Sequence, residues 1–278
     1  MQIIKTFAFC TAVALAFTVP ATHAAGFNHL KGNPDLHSAS ALVIDAQGKV
    51  IYGKDVDAVR PIASITKLMT AMVVLDSALG LDEKITVTEA DRDHQKMTGS
   101  RLAIGATLTR RQMIQLAIMS SENRAASALG RNYPGGLKEF VAQMNKKAVE
   151  LNMHHSRFTD PAGLNALNTS TASDLGKMIA AADEYPLIRQ ASTTKTMEVR
   201  PFANRGPLVY NNTNRLLKNN TWDIALSKTG YINEAGRCLV MRAVIAGEPV
   251  AIVLLNSFGK LTPYGDSNRL RKWMLAQG

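Results

Sequence analysis

The chain has 278 residues, a formal charge of +10, 46% hydrophobic and 6% aromatic residues, and two cysteines. That length suits one large domain or two intimate lobes, and the charge excess favours acidic partners: nucleic acid, anionic lipid or a carboxylate-rich polymer. Cys10 lies in an N-terminal apolar run, which leaves Cys238 alone in the rest of the chain and excludes an internal disulfide framework.

Lys5 is followed by an apolar run from Thr6 to Val19, and Pro20 leads into Thr22-His23-Ala24, a small-residue cleavage site before Ala25. The run is shorter than the roughly 20 residues that span a bilayer, so residues 1–24 read as a cleaved export signal rather than a retained anchor. Cys10 sits inside that run, away from the cleavage point, which argues against a lipoprotein. Export disfavours nucleic acid, and neither an aromatic-interleaved basic stretch nor a zinc-type spacing supports it.

Residues 39–55 read as a hairpin, with Ala41-Leu42-Val43-Ile44-Asp45 and Val50-Ile51-Tyr52 as strands and Gln47-Gly48 at the turn. A loop then delivers Ser64 to the start of an apolar helix, Leu68 to Leu75. From Asp82 to about Arg215 the chain reads as mostly helical. Asp91 to Met97 is polar and helical, Thr109 to Met119 is periodic and apolar, and Glu122 to Leu129 continues it. Gly135-Gly136 breaks the chain before an amphipathic helix from Leu137 to Leu151. A further helix covers Asp174 to Ala182, capped by Ser173 or Thr171. Strands return at Ala225 to Lys228, Arg237 to Ala246 and Pro249 to Leu255, the last two joined by a Gly247-Glu248 turn. A loop holding Gly259, Pro263 and Gly265 precedes a closing helix from Asn268 to Ala276. The pattern predicts an α+β fold in which one antiparallel sheet is completed by both ends of the chain. A helical lobe at about 82–215 is inserted into residues 25–278, with a cleft between lobe and sheet.

Three short motifs stand in order along the chain: Ser64-Ile65-Thr66-Lys67, Ser121-Glu122-Asn123 and Lys228-Thr229-Gly230. Ser-x-x-Lys also occurs at Ser192-Thr193-Thr194-Lys195 and Ser257-Phe258-Gly259-Lys260. Only the first copy opens a helix, where serine and lysine fall one turn apart on the same face.

A serine hydroxyl needs a base, and a lysine serves if burial or a second cation makes it give up its proton. Lys67, one turn from Ser64 and with Lys228 nearby, meets both conditions. Ser121 is a candidate to relay the proton to a leaving amine, and Asn123 to bind the substrate amide. Gly230 leaves room for a substrate to pair along the strand, while Lys228 and Thr229 offer a charge and a hydroxyl to a carboxylate. The backbone N–H groups of Ser64 and Tyr231 are the candidate oxyanion donors. Arg237 either assists the carboxylate clamp or forms a structural salt bridge.

The trio resembles the set found in penicillin-binding proteins and class A β-lactamases, with Glu122 where that set has aspartate. Pro61 to Thr70, Ser121 to Ala126, Phe158 to Leu164 and Ser227 to Tyr231 extend the resemblance over nearly the whole chain beyond the signal. It points to the low-molecular-mass penicillin-binding proteins of the D-alanyl-D-alanine endopeptidase group. The resemblance implies a five-stranded antiparallel sheet flanked by helices, of the β-lactamase/transpeptidase-like kind. It also implies a periplasmic serine D,D-peptidase that acts on peptidoglycan stem peptides and cross-links through an acyl-enzyme, with β-lactam antibiotics as covalent inhibitors. Many D,D-carboxypeptidases of this superfamily carry an extra C-terminal domain and an amphipathic anchor. The chain ends soon after Gly230, which favours the short endopeptidase-like class. The basic tail Arg269 to Leu275 reads as a packed helix, and peripheral membrane contact is not required of it.

Three rivals remain: a D-alanyl-D-alanine carboxypeptidase, a β-lactamase, and a non-catalytic sensor of β-lactam or peptidoglycan. The segment Asp160-Pro161-Ala162-Gly163-Leu164-Asn165 lacks the glutamate that class A β-lactamases hold over a deacylating water, and Asp160 is expected to order its loop. Intact Ser64, Lys67, Ser121 and Lys228 argue against the sensor. His154-His155 point to different faces with no acid spaced for them, so neither a metal nor another cofactor is expected. Cys238, within Cys238-Leu239-Val240-Met241, reads as buried strand filler.

Overall fold

The computed structural model describes Phe27 and residues 30–276; the expected signal peptide at residues 1–24 lies outside them. In chain order the N-terminal hairpin is β1 (Ser40–Asp45) and β2 (Val50–Lys54), followed by β3 (Arg60–Pro61), a 3-10 turn (Ala63–Ile65) and α1 (Thr66–Asp76). Next come β4 (Lys84–Thr86), β5 (Thr107–Thr109), α2 (Arg110–Met119), α3 (Asn123–Arg131), α4 (Gly136–Glu150), β6 (Thr169–Ser170), α5 (Ala172–Asp183) and α6 (Pro186–Thr193). The chain closes with β7 (Thr196–Val199), β8 (Leu208–Asn211), β9 (Asp223–Ile232), β10 (Gly236–Ile245), β11 (Glu248–Ser257) and α7 (Thr262–Leu275).

The main sheet has the order β2-β1-β11-β10-β9, all pairs antiparallel. Both ends of the chain therefore build one five-stranded sheet, as the strand pattern predicts. The middles of its central strands, Ala41 to Ile44, Leu239 to Met241 and Val250 to Leu255, are apolar because both faces are covered. Alternation along each strand sorts the side chains into two cores. Leu42, Val240, Val253 and Leu255 face the larger core, shared with α1 to α6. Ala41, Val43, Leu239, Met241, Ile252 and Leu254 face a smaller one, where α7 supplies Leu270 and Met274. The last helix thus packs on the sheet, with Trp273 Nε1 donating to the Lys31 carbonyl. Among the described residues no helix is long and apolar enough to cross a membrane.

Helix α1 is buried from Thr66 through Val74. An apolar surface on every side suits a helix surrounded by others, and α1 packs against α2, α3, α4, α5 and α6. The central helix that carries Lys67 is thereby fixed from all directions.

The inserted region is less helical than predicted. Asp91 ends a 3-10 turn (Glu89–Asp91), and residues 92–97 form an irregular loop. The Asp93 carboxylate accepts from the backbone N–H groups of Gln95, Lys96 and Thr98 and from the Thr98 hydroxyl. Those bonds offer the backbone an alternative to helix. His94 accordingly lies in a loop, not in a charged helix. The expected continuous run from α2 into α3 is also broken: Ser121 adopts φ 59°, and Glu122 caps the new helix by accepting from Arg124 N. Helix α7 begins at Thr262, ahead of the expected Asn268. Pro263 falls in its first turn, where proline's missing N–H costs nothing, and Gly265 lies inside the helix.

Candidate active site

The backbone leading to Ser64 is held under constraint. Ile62 is fully buried, and its N–H donates to the Asn168 carbonyl at 3.0 Å. Ala63 then takes φ 47°, a left-handed conformation that costs a non-glycine residue about 1–3 kcal/mol and persists only where its surroundings fix it. The fixing partner is the loop around Gly163, itself at φ 75°. A Cβ on Gly163 would lie 2.0 Å from the Ala63 carbonyl oxygen, so only glycine lets this loop close on the backbone before the serine. The 3-10 turn feeds directly into α1, and Lys67 Nζ stands 2.9 Å from Ser64 Oγ.

Lys67 is completely buried. Its Nζ also lies 2.8 Å from Asn123 Oδ1 and 2.6 Å from the Ala162 carbonyl oxygen. Burial pulls the ammonium down to about 7, against the nearby negative charges of Asp160 and Glu122, which favour the protonated form. Two of its three partners are acceptors only. A neutral amine has two N–H groups for them and a lone pair left for the Ser64 O–H, the arrangement a general base requires.

Lys228, on β9, is equally buried, and its Nζ donates to Ser121 Oγ at 2.9 Å and to the Thr229 carbonyl at 2.8 Å. Burial first, and the charge of Lys67 second, hold it well below the ordinary lysine range. Ser121 owes its position to the break between α2 and α3, which turns it toward Lys228. Asn123, expected to contact substrate, is committed within the protein at both ends: its oxygen accepts from Lys67 and its Nδ2 donates to Thr98 Oγ1 at 3.0 Å. Glu122 accepts from Ser100 Oγ at 2.6 Å in addition to its capping bond.

Strand β9 is the free edge of the sheet. Its Gly230 lies against the nucleophile's backbone: a Cβ there would sit 2.9 Å from the Ile62 carbonyl oxygen and 3.1 Å from Ser64 N. The glycine thus makes room for the Ser64 segment itself as well as for an incoming strand. Because the Thr229 carbonyl faces the open edge toward Lys228, strand alternation turns the Tyr231 N–H to that edge too. The Thr229 hydroxyl is paired with Thr213 Oγ1 at 2.7 Å.

Ser64, Ser121, Asn123, Thr229, Gly230 and Tyr231 line one cleft of about 370 Å³, joined by Arg237. Arg237 pairs across the strands with Tyr231, and its guanidinium lies 3.8 Å from the centroid of that ring. Among the described residues it makes no salt bridge, which removes the structural ion pair considered for it. Cys238 is buried, and burial pushes its thiol up to about 11, so it is strand filler. The Asp160 carboxylate accepts from the backbone N–H groups of Ala162, Gly163, Leu164 and Asn165 and orders its loop as expected. Of the other Ser-x-x-Lys copies, Ser192 Oγ donates to the Arg189 carbonyl and Ser257 Oγ pairs with Ser38 Oγ; neither meets its lysine.

Sequence reasoning missed the Ala162 carbonyl, since every residue carries one, and it missed Thr98 and Thr213, which have no motif of their own. Asp160-Pro161-Ala162-Gly163 was the available signal for the first.

A five-stranded antiparallel sheet with a helical insertion, and a half-buried Ser64 beside a buried Lys67 at their junction, fit the serine D,D-peptidase class. The chain matches the D-alanyl-D-alanine carboxypeptidase family over residues 28–259 and belongs to it. It is 45% identical to a D-alanyl-D-alanine endopeptidase of Escherichia coli over 273 residues, covering 98% of this chain and 88% of the relative. Identity is 49% to the protein of the same name from Pseudomonas aeruginosa over 241 residues, 86% and 78% of the two chains. In structure it is similar to a Streptomyces DD-transpeptidase, with a TM-score of 0.82 at 29% identity over 88% of this chain and 100% of the other.

Proposed function

We propose that this chain is a periplasmic endopeptidase of peptidoglycan that opens D-alanyl-diaminopimelate cross-links through an ester on Ser64. The observation that carries the reading is the environment of Lys67: a buried amine pulled down to about 7, with two acceptors filled and Ser64 Oγ at 2.9 Å. Ser64 attacks the D-alanyl carbonyl as Lys67 takes its proton. The developing oxyanion is held by the N–H groups of Ser64 and Tyr231, where fixed donors act most strongly. Ser121, held by Lys228, relays to the leaving amine the proton that Lys67 took from Ser64, and water then adds to the ester, its hydroxyl going to the acyl carbon and its proton to Ser64 Oγ. Residues 1–24 act as the export signal, and residues 25–278 form the peptidase with its lobe at about 82–215.

The relatives at 45% and 49% identity are named endopeptidases, whereas those at 31–32% are named carboxypeptidases. The endopeptidase reading follows that gradient. Terminal D-alanine trimming is the second reading, because the diaminopimelate D-centre carries a carboxylate where a terminal D-alanine carries its own, so the Lys228-Thr229 clamp suits both. β-Lactams are expected to acylate Ser64 and to leave slowly: the Asp160 carboxylate is taken up by the backbone N–H groups of its own loop.

The test is to incubate the protein with purified cross-linked muropeptide dimers and, separately, with pentapeptide monomers, reading products by mass spectrometry. Dimers falling to monomers support the endopeptidase. Loss of terminal D-alanine alone replaces it with the carboxypeptidase, and no product from either substrate overturns both.

A further inference from the structure

Three cations reach the candidate cleft from three separate elements. Arg215 comes from the 3-10 turn after β8, Arg237 from the start of β10, and Lys260 from the turn between β11 and α7; no acid shares the lining with them. Nearby acids are already committed. Glu234, in the β9–β10 turn, pairs with Lys96. Asp266, in α7, is buried, accepts from the N–H groups of His37 and Ser38, and pairs with Arg269. Arg215, Arg237 and Lys260 have no carboxylate partner among the described residues. The Arg237 guanidinium is also anchored, its Cζ lying 3.8 Å over the Tyr231 ring, and a guanidinium suits a planar, bidentate acceptor.

A leaving group with a single carboxylate needs only the Lys228-Thr229 clamp. Three further cations without a carboxylate partner, lining one cleft, suit a leaving half with several carboxylates. We infer that Arg237, with Lys260 and Arg215, forms a subsite for the polycarboxylate acceptor stem of a cross-link, and that this wall selects cross-linked dimers over pentapeptide monomers. The inference rests on the peptidase reading above and adds the basis of its substrate choice. A single terminal D-alanine leaves this subsite unfilled, whereas the second stem of a dimer brings the free carboxylates of its diaminopimelate, its glutamate and its own terminus.

The test compares wild type, Arg237→Gln, Lys260→Gln, the double variant and Arg237→Lys on three substrates. These are free-acid dimers, dimers whose acceptor-stem carboxylates have been amidated, and pentapeptide monomers. Circular dichroism and thermal melting establish that each variant is folded. Wild type is expected to cleave free-acid dimers with a kcat/KM about tenfold above amidated ones, the value of a charge-assisted hydrogen bond or two. The double variant should lose that preference, and Arg237→Lys should keep part of it. Equal losses on dimers and monomers, or a preference that survives in the double variant, overturn the subsite. Wild type that cleaves neither dimer defeats the underlying endopeptidase reading instead, and the two failures are thereby told apart.

Discussion

Lys67 Nζ and the carbonyl oxygen of Ala162 stand 2.6 Å apart inside the protein. With Asn123 Oδ1 at 2.8 Å, this carbonyl occupies a second N–H of the lysine whatever its protonation state. Titration therefore changes only the third contact, to Ser64. The ammonium donates to the serine oxygen; the neutral amine accepts its proton. Lys67 is oriented for the base role before any substrate arrives, and its pKa decides when that role begins.

Acylation by benzylpenicillin should accordingly rise with pH through a midpoint near 7, measured as the second-order rate of covalent labelling. A rate constant flat between about pH 6 and 9 would remove Lys67 as the base. The same titration affects stability. Between about 7 and the ordinary 10.5 the unfolded chain carries a proton on Lys67 that the folded chain has released. This group's contribution to stability therefore rises with pH across that window and is constant below it. Denaturant unfolding of wild type against Lys67→Met, across the window, isolates the contribution.

Replacing the nucleophile separates chemistry from folding. Ser64→Ala should abolish penicillin labelling and leave the melting profile near that of wild type, since it removes one oxygen at the cleft wall. Lys67→Ala should remain foldable but acylate more slowly by on the order of 10²–10⁴, the usual share of a positioned base. Intact labelling in Ser64→Ala would move the nucleophile elsewhere.

The glycines at 163 and 230 should respond differently to alanine. At Gly163 the added Cβ falls 2.0 Å from the Ala63 carbonyl at a left-handed φ, so the loop carrying Ala162 must withdraw. Gly163→Ala should thus lower thermal stability and acylation together, by more than about 2 kcal/mol in unfolding free energy. At Gly230 the contacts are 2.9–3.2 Å and involve the Ser64 segment. Gly230→Ala should reduce acylation while costing less stability. A Gly163→Ala protein that melts like wild type would show that the loop has room to spare.

Much of this site was legible because its parts are side chains in short motifs, and those motifs sit where hydrophobic pattern marks a helix start or a strand. The sheet was legible too, since Ala41 to Ile44 and Leu239 to Met241 are apolar without a break. What pattern missed is what single residues decide. Asp93 ties a loop where polarity suggested helix, and Ser121 at φ 59° splits a run of helix formers into α2 and α3. Pro263 marks a loop by pattern, although proline also opens helices, as it does in α7. Pattern also left out how Asn123 is held: its motif position says that it stands by the nucleophile, but not that Lys67 and Thr98 anchor its amide and leave one N–H toward the cleft.

Ser121 and Lys228 should behave as one unit. The lysine reaches Ser121 Oγ at 2.9 Å from the far side of the cleft, and burial together with the charge of Lys67 disfavours its own charged form. The proton that Lys67 takes from Ser64 needs a route to the leaving amine, and Ser121, held in place by Lys228, is that route. Ser121→Ala leaves Lys228 without its hydroxyl partner; Lys228→Ala leaves the Ser121 hydroxyl without the donor that holds it. Each single variant should slow substrate cleavage by on the order of 10²–10⁴. The double variant should be little worse than either, because the second substitution removes a group that has already lost its function. Cleavage rates of the four proteins form a cycle whose interaction energy should exceed about 1 kcal/mol. Strict additivity would mean that Lys228 acts on the substrate independently, through the carboxylate clamp alone, and that the proton reaches the leaving amine by another route.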